Sequence, residues 1–124
     1  MNTPNIEVRV ADALRDIGIP SNLKGYRCLT EALLITVEDP EMLKGLTKRW
    51  GLYHTVAEKL GTTSSRVERA SRHAIETAFD RCDTATLYEY FGNTVSGLKG
   101  KPTNGEFISA ITEWLRLGKD LTKN

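Results

Sequence analysis

The sequence predicts an all-α domain, a compact bundle of about six helices containing a helix-turn-helix. Three observations carry that expectation. Apolar residues recur at helical spacing in the segments between breakers. No stretch keeps the period-two alternation of a half-buried strand. The run LYHTVAEKLGTTSSRVERASRHAIETAF, residues 52–79, reads as two helices joined by a tight turn. At 124 residues, positions 1–124 form one domain by size, large enough for a real core.

The first helix spans Ile6 to Ile17, with Ile6, Val10, Leu14 and Ile17 on one side and Asp12, Arg15 and Asp16 outside. Gly18 and Pro20 end it. A second helix, about Lys24 to Glu38, carries Tyr26, Leu29, Leu33 and Val37 on one stripe. Asp39-Pro40 breaks it, and Pro40 suits the first turn of a short third helix ending near Gly45.

The central pair follows. Its first helix, about Leu52 to Leu60, places Val56, Ala57 and Leu60 on one face, and Gly61 closes it in the left-handed conformation. Ser65 with Glu68 fits an S-x-x-E capping box for the second helix, which runs to Phe79. On a wheel of about 100° per residue, Val67, Ala70, Ser71, Ala74, Ile75 and Ala78 fall on one side. Ser65, Arg66, Arg69, Arg72, His73 and Glu76 fall opposite, with Glu68 at the edge. The inner face is small enough for close packing. The outer face offers three guanidiniums, whose planar forks suit guanine edges and phosphates. The bland alternative is a solvated face on an ordinary helical hairpin.

A short helix from Asp83 to Phe91 has Leu87, Tyr88 and Phe91 as anchors, capped by Asp83 or Thr84. In GNTVSGLKGKPTNGEF, four glycines and a proline within fourteen residues forbid a regular helix. This loop holds Lys99 and Lys101 and runs into Thr103-x-x-Glu106, a second capping box. The last helix, Gly105 to Leu117, buries Phe107, Ile108, Ile111, Leu115 and Trp114, and the tail GKDLTKN frays. Taken alone this loop reads as a flexible connection; beside the arginine face, Lys99, Lys101 and the helix N-terminus read better as a second phosphate clamp.

Net charge is only +1, but it is unevenly placed. Up to Glu41 there are four Lys/Arg against seven Asp/Glu (−3), and beyond it thirteen against nine (+4). A basic patch can therefore sit on a nearly neutral protein. His54 and His73 lie 19 positions apart and Cys82 nine beyond, spacings unlike a compact zinc motif. There is no nucleophile elbow, dinucleotide fingerprint, Walker A loop or H-E-x-x-H, so neither a cofactor, a metal nor an enzyme is expected. The start MNTPNIEVRV is not a signal peptide, and no apolar run is long enough for a membrane. Cys28 and Cys82 read as free thiols of a cytoplasmic protein.

Ser65 to Glu76, SRVERASRHAIE, resembles the recognition-helix signature of the stage-zero sporulation response regulator family of endospore-forming Firmicutes. Phe91 to Phe107, FGNTVSGLKGKPTNGEF, is similar to that family's F-G-x-T-V-S…K-x-K-P-T-N-x-E-F segment. Ile17-Gly18-Ile19-Pro20 followed by Lys24-Gly25-Tyr26 is a weaker third match. The resemblance implies an all-helical effector domain that binds double-stranded DNA as tandem copies on short TGTCGAA-type boxes. It implies that Arg66, Glu68 and Arg69 read base edges, which agrees with arginine's bidentate fit to guanine and glutamate's to cytosine N4. It places Ser65, Arg72 and His73 near the DNA backbone, and Lys99, Lys101, Thr103 and Asn104 in a phosphate-side loop. The region from Leu87 to Val95, with Phe91 between, is implicated in meeting the polymerase sigma factor.

Family members carry an N-terminal receiver domain that this sequence does not include, so it reads as an excised effector or a natural stand-alone protein. Ser71 stands where the family usually has an apolar residue, and Trp50-Gly51 precedes the hairpin. The expected function is a sequence-specific transcription factor domain acting at sporulation-type promoters. The rival readings are an interaction protein that modulates the full-length regulator by competing for boxes or partners, and a helical module without nucleic acid.

Overall fold

Local signals set the ends of the helices. In the computed structural model, which describes residues 5–92 and 101–121, the order is α1 (Ile6–Ile17), α2 (Lys24–Glu38), a 3-10 turn (Pro40–Leu43), α3 (Leu52–Leu60), α4 (Ser64–Phe79), α5 (Thr84–Phe91) and α6 (Asn104–Leu121). Asn5 caps α1 by accepting from the Glu7 amide at 2.7 Å. At its other end Gly18, at φ 99°, donates to the carbonyls of Leu14 and Arg15, and Ile19 donates to Leu14 as well. Asp83 caps α5 through the Thr86 amide at 2.7 Å. Thr103 and Glu106 form the expected reciprocal box on α6, at 2.9 and 3.1 Å. Among the described residues the fold is all-helical, as the sequence predicts.

Apart from one-residue shifts at the starts of α5 and α6, three boundaries differ from the sequence reading. The short third helix is a single 3-10 turn, because Asp39 caps it through Glu41 and the chain turns extended at Lys44. The last helix reaches Leu121 rather than Leu117, so the first part of the expected frayed tail is helical. The third lies at the start of α4 and is described with the site.

α2 is the central helix, in contact with α1, α3, α4, α6 and the 3-10 turn. Its buried face runs through Cys28, Leu29, Ala32, Leu33 and Thr36. That face is rotated from the expected Tyr26–Val37 stripe, whose ends are only half-buried. The cause is Gly25. A Cβ there would stand 2.1 Å from the Ala70 carbonyl oxygen and 2.6 Å from the Ala74 Cβ. Backbone of α2 therefore lies directly against α4, and the residues following Gly25 on that face go inward.

The far side of α2 packs on α6, where Phe107, Ile108, Ile111 and Leu115 are fully buried. Two buried hydroxyls, Thr36 and Thr112, satisfy each other at 2.6 Å across that contact. Phe79, Phe91 and Phe107 close the end of the core, with centroids 5.5 to 6.3 Å apart. Tyr90 stacks on Trp114 at 4.5 Å and donates its hydroxyl to Asp16 at 2.7 Å, tying α5 to the end of α1. Cys28 and Cys82 are unpaired, and burial pushes both thiols above the ordinary value.

Candidate nucleic-acid interface

The two helices of the central pair meet at Gly61, which takes the left-handed conformation at φ 69°. Thr62 then donates back to the Ala57 carbonyl at 2.9 Å. The chain re-enters a helix two residues earlier than the Ser65–Glu68 box requires. Thr63 is the cap, accepting from the Arg66 amide at 3.3 Å. Three residues on from Thr63 stands Arg66, so no carboxylate reaches back, and the expected box is replaced by a single hydroxyl cap. Glu68 is thereby left free of capping.

α4 buries Val67, Ser71, Ala74, Ile75 and Ala78 against its neighbours. Ser71 is 1% exposed, on the packed face where the wheel puts it. Ser65, Arg66, Arg69, Arg72, His73 and Glu76 are exposed, and Glu68 lies between the two faces. The six outward residues and the edge glutamate are thus arranged as expected. Within the face, Arg72 lies 3.4 Å from the Glu68 carboxylate one turn back. Arg69 reaches the Ser65 carbonyl at 3.5 Å.

Each long edge of this face is bordered by another helix end. On one edge the N-terminal turn of α2 brings Lys24 and Arg27 beside Arg66 and Arg69. On the other, the Asn104 amide donates to the Glu68 carbonyl at 2.9 Å, pinning the start of α6 to the middle of α4. The buried Tyr53 lies there too, beside Asn104, Glu68 and Arg72, and burial raises its pKa.

The loop residues separate in consequence. Thr103 is exposed and occupied as the cap of α6. Asn104 is only 7% exposed, with its amide committed to α4. Lys101 pairs with Asp80 at 2.9 Å, and hydrogen bonding to that carboxylate holds its ammonium above the ordinary lysine value. Lys99 and Val95 lie outside the described residues. Of the residues assigned to a sigma-factor contact, Leu87 is half-buried, whereas Phe91 is 5% exposed within the phenylalanine cluster. A partner at α5 would meet the helix surface around Leu87 and not the Phe91 ring.

Among the described residues no group of His, Cys, Asp and Glu stands close enough together to hold a metal ion, and no helix is long and apolar enough to cross a membrane. A helix-turn-helix with a tight left-handed turn and an arginine-bearing second helix defines the class of DNA-binding regulators. The family model described as the sporulation initiation factor Spo0A C terminal matches residues 10–115. The chain belongs to that family, the DNA-binding effector domain of a sporulation regulator.

Proposed function

We propose that the domain recognises short TGTCGAA-type boxes at sporulation-type promoters, with α4 in the major groove. Arg66, Glu68 and Arg69 read base edges, and Ser65, Arg72 and His73 hold the backbone on either side. The observation that carries this reading is the outward face of α4, which presents three guanidiniums while its opposite face is locked into the core. The Glu68 and Arg72 side chains are 38% and 60% exposed, so opening the pair costs about a few tenths of a kcal/mol. Binding then frees the carboxylate for cytosine N4 and the guanidinium for a phosphate.

Lys99, Lys101 and Thr103 serve as backbone contacts from the loop before α6. Asn104 holds the start of α6 against α4. Copies bind in tandem on adjacent boxes, and the α5 surface around Leu87 meets the polymerase sigma factor. Action on the chromosome puts the protein in the cytoplasm.

The test is titration of Arg66→Ala and Arg69→Ala against box DNA and random DNA at fixed salt. Each change should cost about 1–3 kcal/mol on the box and much less on random sequence. Equal losses on both would show that these arginines touch only backbone.

A further inference from the structure

The groove between the first turn of α2 and the outer face of α4 has a volume of about 660 Å³. Its rim carries Lys24 and Arg27 from α2, and Arg66 and Arg69 from α4. The turn at Gly61 forms one end, and Ala70 lies along the wall. Among the described residues, ion pairs form at Asp12, Glu31, Glu41, Glu58, Glu68 and Asp80, and none involves these four cations. Glu31, one turn along α2 from Arg27, is turned away to Lys59 at 3.3 Å. Four positive side chains thus share one concave surface whose lining includes no carboxylate. Such an arrangement repels itself unless an anion fills it, and its concave shape concentrates the field.

We infer that Lys24 and Arg27 form a phosphate clamp for the DNA strand running along the α2 edge of the recognition helix. The inference rests on the DNA-reading role of α4 and adds a second set of backbone contacts to it. DNA fits better than a small free anion because two of the four cations also belong to the face that enters the major groove. Lys24 and Arg27 are three residues apart on one side of α2, so both heads can follow a single strand. Gly25, between them, fixes their distance from α4 by backbone contact with Ala70. Phosphate contacts of this kind set register and orientation and carry no base preference.

The experiment measures the dissociation constant across a salt series for the wild type, Lys24→Gln, Arg27→Gln and the double variant. Box DNA and random DNA are both used, with circular dichroism to verify the fold. Each single change should weaken both DNAs alike, on the order of fivefold near 0.15 M salt, and reduce the slope of log K against log salt by about 0.9. The ratio between box and random DNA should stay as in the wild type, in contrast to Arg66→Ala.

Folded variants with an unchanged slope overturn the clamp. So does saturable binding of inorganic pyrophosphate, seen as shifts at Lys24 and Arg27 at matched ionic strength, when the DNA slope is unchanged. A wild type that fails to prefer the box removes the base-reading role instead. A wild type that prefers the box, with variants of unaltered slope, removes the clamp alone.

Discussion

On the reading that Lys101 meets a phosphate, Asp80 competes with DNA for it. Its carboxylate lies 2.9 Å from the ammonium, and the side chains are 62% and 39% exposed, so the pair is weak but occupies the cation. Asp80→Asn should therefore tighten binding to every sequence and steepen the salt slope by up to about 0.9, one phosphate contact's share. A salt titration on random DNA checks this, and an unaltered slope would mean Lys101 never meets a phosphate. Tyr90 offers a test of stability. Burial, then the hydrogen bond to Asp16, hold its phenol well above the ordinary tyrosine value. A raised folded-state pKa means that the fold favours the neutral phenol. That contribution is complete below about pH 10 and fades as pH rises past the unfolded value. Tyr90→Phe should lower stability at pH 7 by about 1 kcal/mol, and the gap to the wild type should narrow between pH 9 and pH 11. Denaturant melts at both ends of that range decide it; a constant gap would mean the phenol is not the group titrating. None of these partnerships was legible in the sequence. Asp80 and Lys101, like Asp16 and Tyr90, are too far apart in the chain for any local pattern to pair them.

Helix ends and helix contacts differ in how openly the sequence declares them. The outer face of α4 was legible because a 3.6-residue period sorts its side chains without reference to anything else. Its cap was not, because Thr62, Thr63, Ser64 and Ser65 are all competent hydroxyls and the geometry after Gly61 chooses among them. With Thr63 as the cap, Thr63→Ala should destabilise the domain by about 1 kcal/mol, while Ser65→Ala should leave stability within a few tenths. Chemical denaturation of the two variants separates the assignments, and the reverse ranking would restore the Ser65 box. The α2–α4 contact was hidden for another reason. A glycine in the first turn of a helix reads as a weak position, and only the structure shows the Ala70 carbonyl beneath it. A methyl group at Gly25 meets rigid backbone at 2.1 Å, so the helices must move apart. Gly25→Ala should cost about 1–3 kcal/mol by overpacking, despite alanine's better helix propensity. A thermal melt at or above the wild-type midpoint would show that α2 has room to shift.

The whole molecule has its acidic excess in the segment up to Glu41 and its basic excess beyond it. The sequence shows that division, but it does not show that Lys24 and Arg27, in the acidic segment, fold back beside the basic face. Distribution in space, more than the net +1, is what governs encounter with a polyanion. On the reading that copies sit side by side on adjacent boxes, a two-box probe should bind more tightly than two independent single-box events. Moving one box by half a helical turn should abolish the gain, since the copies would then face opposite sides of the duplex. Gel-shift titrations on the two probes measure this, and a gain that survives the shift would rule out contact between neighbouring copies.

Both flanks of α4 are fastened to its main chain: α2 to the carbonyl of Ala70, α6 to the carbonyl of Glu68. The side chains of residues 66, 68 and 69 take no part in either fastening. On the reading that these three side chains meet base edges, the frame that fits the duplex and the letters that read it can thus vary separately. A lineage, or an engineer, can rewrite those three positions toward a different box without rebuilding the mount on which they sit. The same mount would give a family of regulators with divergent targets one shared posture on DNA.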